Sequence, residues 1–280
     1  MLFYVARSLS GPLSLPIVPL SYRLVQVKII FLNCWGATNK EPLAAFIREQ
    51  KRGTDVFCFQ EAYGDMQTLA SELLGDYTGM SAHKTIVRGS KDDSMDSAVY
   101  VRQGIDVISS GTLLEDGRLD TGLGLYARLR TPAGELYVCN VHGVTLRVDG
   151  FDDKLDKPSR LEQSQAFIDF FKDKSQPIIV GGDFNMLPEA KSLHMFEEAG
   201  YRNLITDYGI TSTRNRFIWE RYPDTPQKFA DYVFVRGDVN VQDFRVPDIE
   251  ISDHLPQLLE CSLELARRPR DSEVLVSDVE

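Results

Sequence analysis

The chain has 280 residues, of which 43% are hydrophobic and 26% charged, the balance of an ordinary globular protein. Its formal net charge of −10 argues against a broad basic face gripping a polyanion, although a local patch or a bound dication can override net charge. Cys34, Cys58, Cys139 and Cys261 form no CxxC pair, and neither a disulfide framework nor a zinc knuckle is expected.

Residues 1–26 are apolar, carry two arginines and no acid, and are broken by Pro12, Pro16 and Pro19. They are expected to form a poorly ordered N-terminal extension, with a targeting segment as the alternative. No integral membrane segment is expected, and a cytoplasmic monomer is the reading. The domain is expected over residues 27–266, starting near Val25. VKIIFLN reads as a buried strand, and EPLAAFIREQKRG as a helix stopped at Gly53. TDVFCFQE is a second buried strand, and DMQTLASELLGD a second helix. SAVYVRQGIDVISSGTLL reads as two strands about Gly104, and GLGLYARLRTPAGELYVCNVHG as a hairpin. SRLEQSQAFIDFFKDK is an amphipathic helix, QPIIVGGDFN a strand and turn, and a helix follows from about Ala190. FADYVFVRGDVNVQDFRV reads as a strand pair, LPQLLECSLEL closes the domain, and residues 267–280 form a solvated tail. Alternating strands and helices predict an α/β (α+β) domain.

Several apolar strands stop abruptly in polar residues, which puts those side chains at a sheet rim, where ligand sites gather. The first ends in Asn33 and the second in Gln60-Glu61. Others end in Asn140-Val141-His142 and Asp183-Phe184-Asn185, and Ser252-Asp253-His254 precedes the last strand. Taken singly, each is ordinary turn or cap chemistry. Together they offer carboxylates, amides and imidazoles, a donor set for Mg²⁺, with Mn²⁺ or Ca²⁺ as alternatives, beside an anionic substrate.

The stretches FLNCWG, FCFQEAYG, VCNVHG, VGGDFNMLP, FADYVFV and ISDHLP resemble, in order, those of the endonuclease/exonuclease/phosphatase superfamily, which includes DNase I. The resemblance implies a DNase I-like four-layer sandwich, two packed mixed β-sheets flanked by helices. It implies a divalent-metal-dependent hydrolase of phosphate esters, first a phosphodiesterase or nuclease using a metal-activated water. A phosphatase or phosphodiesterase for a lipid or sugar phosphate is the alternative, and a non-catalytic binding module the distant one. The partner is then a phosphate-ester substrate, nucleic acid included.

Residue by residue, the resemblance assigns Glu61, Asn33 and Asp253 to the metal. It sets His254 against the scissile phosphate with Asp231 orienting it. Asp183 and Asn185 position water and phosphate, and His142 is a second phosphate-side histidine. Asp96 is weighed as the partner of His142 against a solvated loop acid in KDDSMD. Two loops could reach substrate. One carries Arg147, Lys154, Lys157 and Arg160 among Asp149, Asp152, Asp153 and Asp156. The other carries Arg214, Arg216, Phe217, Trp219, Arg221 and Tyr222. Each could equally be a solvated or packed loop.

Overall fold

Alternate side chains along the first two strands serve two different cores, which dictates a layered molecule. The computed structural model describes residues 25–263 apart from 89–90, 116–117, 119, 133, 149–150, 154–155 and 224–226, and leaves out the side chains of 25, 86–93 and 146–155. The tail at 267–280 and the extension up to residue 24 lie outside the described residues, as do the side chains of Arg147, Asp149, Asp152, Asp153 and Lys154.

β1 (Val25–Asn33) and β2 (Val56–Gln60) run parallel, with Asn33 opposite Gln60. Ile29, Phe31, Val56 and Cys58 enter one core with Cys139, Val141 and Val180. Ile30, Leu32, Phe57 and Phe59 enter another, with Leu43 and Ile47 of α1 (Lys40–Gln50) and Met66 and Leu69 of α2 (Asp65–Leu73). Strands buried on both faces read as unbroken apolar runs, which is why these two are plain in the sequence.

The same sheet includes β3 (Tyr77–Arg88), β4 (Lys91–Arg102), β13 (Val239–Arg245) and β14 (Gln257–Leu263), in the order β13-β14-β1-β2-β4-β3. The second sheet holds β5 (Asp106–Leu113), β6 (Leu123–Thr131), β7 (Gly134–His142), β10 (Ile178–Asp183), β11 (Arg202–Asn203) and β12 (Asp231–Arg236). Its order is β11-β12-β10-β7-β6-β5, and β7 and β10 are its parallel pair. β8 (Leu146–Val148) and β9 (Phe151–Asp153) form a small separate hairpin.

α3 (Pro158–Phe171) and α4 (Lys191–Glu198) cover the outer face of the second sheet. Phe171 meets Tyr137 edge-on with ring centroids 5.7 Å apart, and Phe196 stacks on Phe234 at 4.6 Å. Helices, sheet, sheet, helices is the expected four-layer, DNase I-like sandwich. Two short helices, α5 (Leu204–Asp207) and α6 (Arg216–Arg221), lie between β11 and β12.

Three local expectations change. KDDSMD is not a loop but the start of β4, and β3 before it gave no sequence signal. β3 is an edge strand, and residues 91–96 of β4 pair only with it, so neither stretch needs a continuous apolar run. The pair read in FADYVFVRGDVNVQDFRV is divided, β12 joining one sheet and β13 the other, across a turn at Gly237 with φ +83°. The stretch STRNRFIWERYPDTPQKF contains α6.

Candidate active site

Both parallel pairs end at the same rim, and the rim is where the polar residues converge. Asn33 is buried at the end of β1, and its Nδ2 donates to Glu61 Oε1 and to Asp183 Oδ2, both at 3.0 Å. One amide therefore joins the two sheets. Its Oδ1 accepts the backbone N–H of Trp35 at 3.0 Å, which fixes its orientation. Behind it a second buried amide, Asn140, donates to the carbonyls of Phe59 (2.8 Å) and Ala98 (3.2 Å) and accepts from Gln60 Nε2. The sheets approach closely here: a Cβ on Gly182, itself at φ +129°, would lie 2.8 Å from Gln60 Nε2 of the facing sheet.

Asp183 lies in register with His142 on one side and Asp231 on the other. Its Oδ1 accepts the Asn185 N–H at 2.8 Å, and its Oδ2 accepts Asn185 Nδ2 at 3.2 Å. His254 Nε2 stands 3.7 Å from the same Oδ2, beyond a direct hydrogen bond. His254 Nδ1 is 2.9 Å from both oxygens of Asp231. Thr213 Oγ1 in turn accepts the N–H groups of Ala230 (3.0 Å) and Asp231 (3.2 Å).

This arrangement puts charge where water cannot stabilise it. Burial pushes the Asp231 carboxyl up, against the pull of His254. Burial and Arg214 oppose charging His254, but Asp231, Asp183 and Asp253 outweigh them and raise it to about 9. The pair therefore holds a proton through neutral pH, with Nε2 as the end that can donate it toward Asp183 or a group between them.

A cleft of about 200 Å³ opens on this cluster. Glu61, Asp183, Asn185, Arg214, Asp253 and His254 line it, together with Trp35, Tyr63, Ile218, Arg221 and Tyr222. Tyr63 lies against Gly36, where a Cβ would come 2.5 Å from its ring, and Trp35 packs on Phe217. Three non-glycine cleft residues hold positive φ: Trp35 (+50°), Glu61 (+51°) and Asn185 (+56°). Strain of this kind gathers at functional sites, because the surroundings must pin each side chain in place.

Of the residues predicted from sequence, Asn33, Glu61, Asp183, Asn185, Asp231 and His254 lie in one connected cluster. Asp253 is in the cleft, but its Oδ2 accepts Arg214 Nη2 at 2.9 Å rather than facing Glu61 through a shared contact. His142 adjoins Asp183 by register, outside the cleft lining, with a buried Nδ1 that has no hydrogen-bond partner among the described residues. Asp96 does not pair with His142. Its Oδ1 bonds His83 at 2.8 Å and its Oδ2 accepts Ser94 at 2.6 Å, because β4 carries it beside β3.

Arg160 is buried in α3, its Nη2 directed at the Val144 carbonyl, and Arg216 pairs with Glu250 and Glu220. Arg214 and Thr213 are the contributions that sequence reading undervalued. The signal was present in TRN, where Asn215 Oδ1 accepts the Phe217 N–H and opens α6.

Asp183, Asp231 and His254 offer ligand atoms within 4.8 Å of one another. Their internal bonds, with His254 Nδ1 turned to Asp231, suit proton handling as well as a metal. Glu61, Asp183 and Asp253 add the hard carboxylate oxygens that Mg²⁺ takes, so the donor set fits a divalent cation.

Residues 30–254 match the Endonuclease/Exonuclease/phosphatase family, and the chain belongs to it. No curated protein matches the sequence significantly. Among solved structures, the fold is similar to an endonuclease/exonuclease/phosphatase from Bacteroides vulgatus. That match has 18% identity and a TM-score of 0.69, covering 86% of this chain and 100% of that one. It is similar to D. rerio TDP2 complexed with single strand DNA product, at 14% identity and TM-score 0.63, covering 84% and 98%. A mannosyl-6-phosphatase of Bacteroides thetaiotaomicron aligns at 18% identity and TM-score 0.61, covering 84% and 99%. At these identities the likeness shows the fold. No helix among the described residues is long and apolar enough to cross a membrane.

Proposed function

We propose that the chain is a divalent-metal-dependent hydrolase of phosphate esters, with a phosphodiester as its first substrate class. The observation that carries this reading is the convergence on Asp183 Oδ2 of Asn33 Nδ2 at 3.0 Å, Asn185 Nδ2 at 3.2 Å and His254 Nε2 at 3.7 Å. A carboxylate oxygen held by two amides, with an imidazolium-capable ring just out of bonding reach, is a seat for a water and the phosphorus it attacks.

In this reading Asp183 orients the attacking water and accepts its proton. His254, charged by Asp231, donates to the phosphoryl oxygens or the leaving oxygen. Asn185 holds a non-bridging oxygen, and Asn33 keeps Glu61 and Asp183 from drifting apart. Glu61, with Asp183 or Asp253, would hold Mg²⁺ or Mn²⁺, which supplies charge neutralisation on the phosphate when bound. His142 remains a phosphate-side candidate through its buried Nδ1, which has no partner among the described residues.

The second reading is a monoester such as a sugar phosphate. It is favoured by the small cleft and by a net charge of −10, which suits a compact anion better than a long nucleic acid. The structural neighbours span both classes, TDP2 complexed with single strand DNA product and a mannosyl-6-phosphatase.

The test is an activity panel with Mg²⁺ or Mn²⁺ over plasmid and single-stranded DNA, 5′-tyrosyl DNA, a phosphoinositide, sphingomyelin and hexose phosphates, run beside Asp183→Asn. Turnover by the wild type and its loss in the variant are expected. Silence on every substrate with every metal would overturn the hydrolase reading.

A further inference from the structure

Asp253 and Arg214 are both more than nine-tenths buried, and each is the other's ion-pair partner. A buried pair needs a reason, since its desolvation rivals its attraction. The simplest reason, tying the segment of Arg214 to the loop of His254, is already supplied by other groups. Arg214 and His254 form a backbone bridge, the Leu255 N–H donates to the Thr213 carbonyl at 2.8 Å, and Asn215 Nδ2 donates to the Ser252 carbonyl at 2.6 Å. The guanidinium is therefore surplus to that joint.

A guanidinium carries five N–H donors. Among the described residues one side-chain hydrogen bond of Arg214 is made, from Nη2 to Asp253, and its buried Nε has no partner. Arg214 lines the cleft with Asp183, Asn185 and His254. The lining also includes the carboxylates Glu61, Asp183 and Asp253, which would repel an incoming phosphate.

We infer that Arg214 is the phosphate-binding cation of this site, one edge of its guanidinium held by Asp253 and the other presented to the substrate's phosphoryl oxygens. Asp253 then acts first as the anchor of Arg214. The planar fork suits this double duty, because it can bond a carboxylate and a phosphate at once, whereas a lysine ammonium offers a single point charge. Asp253 and His254 are adjacent, so one loop delivers both the anchor of the cation and the proton donor.

The inference rests on the phosphate-ester reading, and its test is made to fail separately from it. Inorganic phosphate is titrated into wild type, Arg214→Gln and Arg214→Lys by calorimetry, with and without Mg²⁺, and no turnover is involved. Wild type is expected to bind, and Arg214→Gln to bind about tenfold more weakly or worse, the loss expected for a charged hydrogen bond.

If Arg214→Gln does not fold, Arg214→Lys decides, because it keeps a charge beside Asp253 but loses the fork, and weaker binding is expected there too. Equal affinity in a folded Arg214→Gln, or in Arg214→Lys where it is the deciding variant, overturns the inference. So does wild type that binds phosphate under neither condition. Failure of the hydrolase reading would look different, with phosphate binding intact and no ester turned over.

Discussion

In each sheet the central strands run parallel, β1 beside β2 in one and β7 beside β10 in the other, with antiparallel strands on both flanks. Both parallel pairs finish at the shared rim, but they finish in different chemistry. The first sheet ends in Asn33, Gln60 and Glu61, an amide pair and one carboxylate. The second ends in His142, Asp183 and Asp231, aligned in register, with His254 laid across them. In the proposed function one sheet presents oxygen donors, and the other a group that keeps and moves a proton. A single backbone plan used twice leaves the division of labour to the last residue or two of each strand.

The largest expected effect comes from breaking the second sheet's half. His254→Ala should lower kcat by about a hundredfold or more, the span of a positioned acid–base group. Asp231→Asn should do less damage to the fold and comparable damage to turnover. The same pair makes a pH prediction in metal-free protein. Asp231 and its neighbours hold the His254 imidazole up to about 9, so its ring signals should stay in the protonated state through pH 7.5 and move only as pH rises toward that value. With Asp231→Asn the transition should fall, since the first charge favouring the imidazolium is gone and burial still opposes it. A wild-type His254 that titrates near 6.5, the ordinary histidine range, would remove the proton-holding half of the comparison.

Next in size is the seam between the halves. Asn140→Ala deletes the donor to the Phe59 and Ala98 carbonyls and the acceptor of Gln60, all in the buried interior. Stranded polar groups of this kind cost roughly 2 kcal/mol of unfolding free energy, measurable by denaturant titration. A loss below about 0.5 kcal/mol would show that the sheets are held by apolar packing alone at this point.

The two halves also differ in how far they could be read from sequence. Asn33, Glu61, His142 and Asp183 were visible because each ends a strand buried on both faces, whose apolar run stops sharply. Arg214 was seen only as a loop cation, because its importance comes from Asp253, 39 positions away, and no local period records such a contact. The hairpin of β3 with the start of β4 was invisible for a related reason: half of it has no neighbour on one side, and alternation gives way to polar residues. Neither reading of Asp96, partner of His142 or solvated loop acid, holds, because β4 already runs through it and the register of β3 and β4 sets His83 opposite Asp96.

A smaller effect sharpens the first sheet's half. Glu61 sits at φ +51°, a conformation that costs a non-glycine residue roughly 1 kcal/mol or more. Glu61→Gly should relieve that strain and remove a carboxylate facing Asp183, against the extra freedom glycine gains in the unfolded chain. The expected result is stability unchanged or higher by up to about 1 kcal/mol, with activity lost. A variant less stable than wild type would mean that the Asn33–Glu61 bond, not the strain, governs this corner.

The smallest effect uses a carboxylate away from the rim as the contrast to those on it. Asp156 accepts the Lys191 N–H at 2.6 Å, and through Oδ1 the Ser192 N–H at 2.9 Å and Ser192 Oγ at 2.7 Å, at the start of α4. Partial burial raises its pKa, but the bonds from Ser192 and Lys191 prevail and hold the carboxyl below its ordinary value. A carboxyl lowered in the folded state stabilises the fold above its unfolded pKa, and the contribution fades as pH falls through the lower folded value. Asp156→Ala should therefore cost about 1 kcal/mol at pH 7, the usual size of a lost helix cap. The difference from wild type should shrink below roughly pH 4, where the unfolded aspartate takes its proton. Turnover should be unaffected, in contrast to Asp183 and Asp231, which are also hydrogen-bonded carboxylates but whose partners lead to the cleft. If the stability gap between wild type and Asp156→Ala were the same at pH 3 and pH 7, the charge would not be what caps α4, and the hydroxyl of Ser192 with the packing beneath it would have to account for the joint.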